Sequence, residues 1–280
     1  MPRILIADGA PSAWQANLAA HGVPDNTAMF EHALRLHDPD AVCIPVNIAD
    51  GELLPPGTGL SDFDAVVLPG SPLHACDSIP AVIRQIEFLR AVFATHLPVW
   101  GSCWGLQLAT VVLGGSVRVN PRGRALSIAR RITLTDDGRH HPVLANRPAA
   151  FDALCSHLDE VERLPSGARV LAGNAHCAIQ AMAAPTPGGG GLLGVQYHPE
   201  HDLTFSATVM RVRPDLGIEA GLAPDANSAL AMADDFVALH GGNRPDLASR
   251  YGLDEQVLDP RCRTADLGGW LRMVVCGHPV

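Results

Sequence analysis

Between Pro98 and Gln107 the chain reads PVWGSCWGLQ, which sets Cys103 between Gly101 and Gly105, after an apolar run and before a helix-like stretch. A nucleophile on a sharp strand-to-helix turn needs small flanking residues, because the backbone must fold tightly around it. Such a turn lifts the sulfur above the sheet edge. It also sets Cys103 at a helix N-terminus, where unpaired N–H groups and the helix dipole favour the thiolate, the reactive form. The backbone N–H of Trp104 would then face the place where a tetrahedral oxyanion develops. A plainer reading of the same residues is a buried cysteine at a tight turn, and the partners decide between the two.

A nucleophilic cysteine needs a base and a group that orients the base. Downstream, LLGVQYHPEHD ends an apolar run at His198-Pro199-Glu200. Pro199 stiffens the turn between imidazole and carboxylate. His198 can take the thiol proton and pass it to a leaving amine, while Glu200 holds the ring and stabilises the imidazolium. Taken alone, His-Pro-Glu is also an ordinary strand-end turn. His198, Glu200, His201 and Asp202 offer metal-ligand atoms as well, but no distant cluster completes a shell, so no metal and no cofactor are expected.

The elements that must position these groups follow from pattern. Apolar runs at 3–7, Ala41–Val46, Ala65–Leu68 and Leu97–Trp100 read as buried strands, and Thr27–Leu36, Ile79–Thr95 and Leu106–Leu113 carry helical spacing. Strands alternating with helices predict an α/β fold with a parallel sheet covered on both faces. After Gly115 the texture changes to β-like runs at Leu126–Leu134, Ala168–Ala172, Ile179–Ala183 and Leu192–Val195, with Pro185–Gly191 as a hairpin tip. Ala226–Leu239 reads as a helix. One domain over 1–240 is expected, with 241–280 as an extension packed on it, apolar around Trp270–Val275.

Bulk properties narrow the function classes. The net charge of −9 argues against a nucleic-acid partner, and Arg118, Arg122, Arg124, Arg130 and Arg131 form a single local cluster, read as a solvated strand edge. No apolar run is long enough for a membrane span, and MPRILIADGA lacks the marks of a secretory signal. The seven cysteines are widely spaced without a CxxC pair, as expected for reduced thiols in a cytoplasmic protein. The TDDGRHHP segment, with Asp136, Asp137, His140 and His141, reads as a polar hairpin tip. His176 is placed at the pocket rim with no assigned role.

Together these stretches resemble the class I (triad-type) glutamine amidotransferases. PGSP at 69–72 is similar to that family's oxyanion loop, GSCWGLQ at 101–107 to its nucleophile elbow, and VQYHPEHD at 195–202 to its His/Glu box. CSHLDEVERLP at 155–165 is similar to the SHxDxV stretch in the amidotransferase domain of GMP synthetases. The resemblance implies a flavodoxin-like open, mostly parallel sheet with helices on both faces and a small antiparallel β extension. It implies Cys103 as the acylated nucleophile, His198 as base then acid, and Glu200 as its orienting group. The oxyanion hole would be the backbone N–H groups of Ser71 and Trp104, with Gly70 and Gln107 touching substrate. Ser156, Leu158 and Asp159 match the stretch that holds the α-amino and α-carboxyl groups, with Asp159 facing the α-ammonium. Two positions depart from the pattern. Ser71 stands where glycine is frequent, which keeps the N–H donor. Trp104 is bulkier than many members carry and is expected to narrow or reshape the pocket mouth.

The resemblance implies cleavage of the γ-amide of glutamine through a γ-glutamyl thioester. These residues contain no GxxxxGK[ST] nucleotide-binding loop and no synthetase half. Ammonia therefore goes to a separate synthetase, or hydrolysis is the whole reaction, as in a stand-alone hydrolase of γ-glutamyl amides or peptides. Ranked below these are a non-catalytic binding protein of the same fold and a cysteine hydratase or peptidase on the same scaffold.

Overall fold

The strands in chain order are β1 (Arg3–Asp8), β2 (Val42–Asn47), β3 (Ala65–Leu68), β4 (Val99–Ser102), β5 (Ser116–Val119), β6 (Ala125–Leu134), β7 (Ala150–His157), β8 (Asp159–Arg163), β9 (Arg169–Gly173), β10 (Ala181–Ala184) and β11 (Leu192–Val195). In the computed structural model, which describes residues 1–277, nine of them form one sheet in the order β2-β1-β3-β4-β11-β10-β9-β6-β7. The strands from β2 to β11 pair in parallel, and those from β11 to β7 pair antiparallel. Strands β5 and β8 make a separate antiparallel ribbon.

The helices are α1 (Ser12–Ala19), α2 (Asn26–Arg35), α3 (Pro80–Phe93), α4 (Trp104–Val112), α5 (Asp136–His140), α6 (Leu203–Val212), α7 (Pro214–Glu219), α8 (Ala226–His240), α9 (Pro245–Tyr251), α10 (Glu255–Leu258), α11 (Pro260–Arg263) and α12 (Ala265–Val275). Alternation along β1 shows how they cover the parallel half. Ile4 and Ile6 face a cluster with Phe30 and Leu34 of α2 and Leu267, Trp270 and Leu271 of α12. Leu5 and Ala7 face the opposite cluster, with Val82 and Leu89 of α3 and Leu106 and Ala109 of α4. The side-chain period of two along a strand divides the core this way.

The tail contributes to the core itself. Trp270 meets Trp100 of β4 with ring centroids 6.0 Å apart. Beside it, Asp266 and Arg147 form a buried ion pair at 3.0 Å. The Tyr197 hydroxyl donates to Asp266 at 2.6 Å, so the tail is tied to the residue before His198. Helices α9 and α10 pack with α6, α8, Leu126 and Leu154 in a third cluster.

One local expectation changes. The TDDGRHHP segment forms the short helix α5 rather than a hairpin tip, because Thr135 accepts from the Gly138 N–H as an N-cap. Within the arginine cluster, Arg118 pairs with Glu160 and Glu162, Arg124 with Glu219, and Arg130 with Asp152. Those charges are answered locally. Among the described residues, no helix is long and apolar enough to cross a membrane.

Candidate active site

Strand β4 hands the chain to α4 through Cys103, whose backbone sits at φ 50° and ψ −99°. A non-glycine residue at positive φ is held there only when its surroundings over-determine it. Two contacts do so. The Cys103 N–H donates to Val195 O at 2.7 Å, locking the elbow to β11. A side chain at Gly101 would meet the Gly105 backbone, and one at Gly105 would meet Leu68 O, so both glycines are required for the close approach. Cys103 is buried, with Sγ 3.7 Å from Ser156 O.

His198 and Glu200 follow β11, the strand that pairs with β4, and reach the elbow from the neighbouring strand. His198 Nδ1 lies 2.6 Å from Glu200 Oε1, which leaves Nε2 as its free ring nitrogen. Burial opposes charge on His198, but Glu200 and then the Cys103 sulfur outweigh it and raise its pKa. The ring packs against Gly70, where a Cβ would come within 2.6 Å of His198 Cε1. Only glycine lets the loop and the imidazole lie this close.

His201 also lines the cavity and stacks on His198, and Phe205 stacks on His201 at 3.6 Å. Burial, followed by the charge of His198, holds the His201 pKa well below its ordinary value, so it is neutral. The ligand atoms of His198, Glu200 and His201 lie within 4.8 Å of one another. That trio is poorly suited to a metal. Lone pairs of two parallel, stacked rings do not converge on one point. Asp202, the fourth ligand considered from sequence, turns away to cap α6 through the N–H groups of Thr204 and Phe205.

The loop at Gly70 and Ser71 is held from two sides. Ser71 Oγ donates to Gly9 O at 2.7 Å, so the serine ties the loop to the end of β1. Asn26, which no sequence pattern marks, donates from Nδ2 to Gly70 O at 2.9 Å. Carbonyl and N–H of a trans peptide point opposite ways. Pulling Gly70 O toward Asn26 therefore turns the Ser71 N–H away from it. Trp104 opens α4, where its N–H has no helical partner. Its side chain does not narrow the pocket mouth: the indole is buried beneath the site and donates to Gln85 Oε1 at 2.8 Å.

A cavity of about 590 Å³ opens over Cys103 and is lined in part by Gly70, Ser71, Gln107, Ser156, Leu158 and Asp159, so these sequence-predicted positions come together. Gln107 spends its amide donors on Asp159 O at 3.0 Å and Gln196 Oε1 at 3.2 Å, leaving its own carbonyl oxygen for the cavity. Asp159 accepts from His74 Nδ1 at 2.7 Å through Oδ2, while Oδ1 is buried without a partner among the described residues. An unpaired buried carboxylate oxygen is costly and calls for a donor. His157 Nδ1 donates to Asp159 O at 2.9 Å, and burial pushes its pKa down to about 4. His74 is a further residue that pattern missed, and His157, inside the SHxDxV-like stretch, carried no assigned role. His176 is not on the cavity wall; it packs edge-on against His157.

Known proteins share this geometry's sequence and fold. Residues 25–211 match the family described as Glutamine amidotransferase class-I. The chain is 36% identical over 204 residues to a gamma-glutamyl-L-1-hydroxyisopropylamide hydrolase of a Pseudomonas species, covering 71% of this chain and 67% of that protein. It is 33% identical over 155 residues to one subunit of a glutamine-hydrolyzing GMP synthase from Saccharolobus solfataricus, covering 54% of this chain and 77% of the other. A glutamine amidotransferase structure from Thermotoga maritima superposes with a TM-score of 0.69 over 98% of both chains, at 17% identity. That last likeness bears on the fold alone.

Proposed function

The chain belongs to the class-I glutamine amidotransferases, and on that premise we propose that it hydrolyses γ-glutamyl amides through a thioester on Cys103. It is a cysteine-nucleophile amide hydrolase of this family; the residue roles and the finer substrate are the proposal. The observation that carries it is the buried His198, oriented by Glu200 at 2.6 Å and pushed up in pKa by Glu200 and the Cys103 sulfur.

The reaction has two halves, acylation and hydrolysis. Cys103 Sγ gives its proton to His198 and attacks the γ-carbonyl carbon. Negative charge on that oxygen is met by the N–H groups of Ser71 and Trp104. The C–N bond breaks as His198 protonates the leaving nitrogen. Water then enters, His198 removes its proton, and the C–S bond breaks to release glutamate. At the far end the unpaired Asp159 Oδ1 receives the α-ammonium, with Gly70, Gln107, Ser156 and Leu158 shaping the pocket around the glutamyl chain.

Glutamine is the simplest such amide, and its nitrogen would leave as ammonia for a separate synthetase. A substituted amide is the second reading, favoured by the relative acting on gamma-glutamyl-L-1-hydroxyisopropylamide, which covers more of this chain than the GMP synthase relative does. The free thiols support a reducing, cytoplasmic setting. Burial of Trp270 against Trp100 supports treating 241–277 as part of the same domain as 1–240, while residues 278–280 of the expected extension lie outside the described residues.

Mass spectrometry of the protein after brief mixing with a γ-glutamyl amide tests the reading. A γ-glutamyl adduct on Cys103, absent in Cys103→Ala, is expected. Hydrolysis undiminished in folded Cys103→Ala overturns it.

A further inference from the structure

The cavity holds more than a glutamyl group. A glutamine has ten non-hydrogen atoms; at the roughly 30 Å³ that a water occupies, these fill at most about half of the 590 Å³ available. The glutamyl half is defined by Asp159, Gln107 and Ser156. The remainder lies past the catalytic imidazole. The amide nitrogen must sit at His198, because that ring protonates it, so anything attached to the nitrogen runs along the next surfaces in order. Those are His201, stacked on His198, and Phe205, stacked on His201. Beyond them the wall is built by Trp14, Leu18, Val209, Val212 and Leu216 from α1, α6 and α7.

Apart from Asn17 of α1 and two arginines, this half is apolar where the glutamyl half is polar. Phe205 and Leu18 share one hydrophobic cluster, with Trp14 and Val209 packed on it and partly open to the cavity. Two arginines reach the same cavity, but each is already matched by an acid: Arg124 with Glu219 at 3.2 Å, and Arg213 with Asp215 at 2.6 Å. A leaving group that carried a carboxylate would meet guanidinium groups whose charge an acid already offsets, and would compete with that acid for them. A hydrocarbon would instead displace water from an apolar wall, which is favourable in proportion to the area covered.

We infer that the outer chamber walled by Phe205, Trp14, Leu18, Val209, Val212 and Leu216 is a leaving-group subsite for an uncharged, apolar amine, so that the substrates are γ-glutamyl alkyl- or arylalkylamides rather than glutamine or γ-glutamyl amino acids. The inference rests on Cys103 acting as the nucleophile. The bonds are those of the reaction above: the C–N bond breaks, its electron pair leaves with the nitrogen, and the proton comes from His198. The free amine departs before water opens the thioester.

Three substrates isolate the claim: γ-glutamyl phenethylamide, γ-glutamylphenylalanine, which adds only a carboxylate to the same hydrocarbon, and glutamine, which lacks the substituent. The expected kcat/KM for the phenethylamide exceeds the other two by roughly tenfold or more, the scale on which an apolar pocket discriminates. A dipeptide cleaved as well as the amide, or glutamine cleaved better than both, overturns the subsite while leaving the Cys103 chemistry standing. Inertness of all three, with no adduct on Cys103, overturns that chemistry and the subsite with it. Val209→Asp and, separately, Leu216→Asp should each lower the ratio of phenethylamide to glutamine kcat/KM roughly tenfold. An unchanged ratio in both folded variants rejects the chamber as the binding place.

Discussion

His201 lies flat on His198, with ring centroids 3.9 Å apart and planes 5° from parallel. A catalytic ring held on one face by a neutral aromatic neighbour and on one edge by Glu200 has little freedom left to rotate. Loss of that stack should loosen the proton-transfer geometry. His201→Ala is expected to lower kcat roughly tenfold, and His201→Phe, which keeps the stack, to restore most of it. Equal losses in both variants would show that the imidazole of His201 acts in some way other than packing.

Glu200 raises the pKa of His198, so removing its charge must move the titration in the opposite direction. The reactive state carries a protonated His198, and that state is lost as pH rises through its pKa. In Glu200→Gln the alkaline limb of the kcat/KM profile should therefore shift to lower pH, with a loss of roughly 10²- to 10⁴-fold at the optimum. A profile unmoved on its alkaline side would separate Glu200 from His198 in function.

In the proposed mechanism Asn26 acts on catalysis through a peptide it does not share. Its bond to Gly70 O turns the Ser71 N–H in the opposite direction. Asn26→Ala frees that peptide, and kcat should fall between roughly tenfold and a hundredfold with little change in KM. Asn26→Asp, which offers no donor, should behave like the alanine variant. A KM effect alone would place Asn26 in binding.

His157 makes stability depend on acidity. Burial lowers its pKa from an ordinary 6.5 to about 4, so the unfolded chain binds the proton more readily than the folded one. The stability it supports is intact above pH 6.5 and is lost as pH falls from 6.5 to about 4, a change on the order of 3 kcal/mol. Urea unfolding across that window should show a shallower slope in His157→Gln. An identical slope would assign the acid sensitivity elsewhere.

Arg147 and Asp266 are both buried, and removing one leaves the other unmatched. Arg147→Met should cost about 3–5 kcal/mol, whereas the double change with Asp266→Leu should recover much of that loss. Denaturant midpoints measure both. A double variant no better than the single one would show that the arginine's bonds to Cys262 O and Arg263 O matter more than the ion pair.

The parallel half and the proposed catalytic positions are legible in the sequence for the same reason: their signals are local. Strands β1, β3, β4 and β11 are buried almost throughout and therefore read as unbroken apolar runs. The elbow glycines and the His-Pro-Glu turn each fit within a few residues. Strands β7 and β8 carry no such signal, because AFDALCSH and DEVER mix charged and apolar residues without a clean period. Helix α1 buries only Leu18 and so shows no apolar stripe. Asn26 is illegible in principle, since its partner lies 44 residues away and its neighbours carry no mark of the contact. Trp104 departs from expectation because residue size carries no direction; α4 turns the indole into the core, where Gln85 receives it.

Trp270 closes the face of the sheet that Trp100 presents, and this has a bearing on how the protein is made. The parallel strands are complete once β11 has emerged at Val195, but α12 arrives only with residue 270, some 75 positions later. At about 5–20 residues per second the ribosome takes roughly 4–15 s to cover that distance. Throughout that interval α2 covers only part of this face of the nascent sheet, and a chaperone that holds the remainder should raise the yield of folded protein.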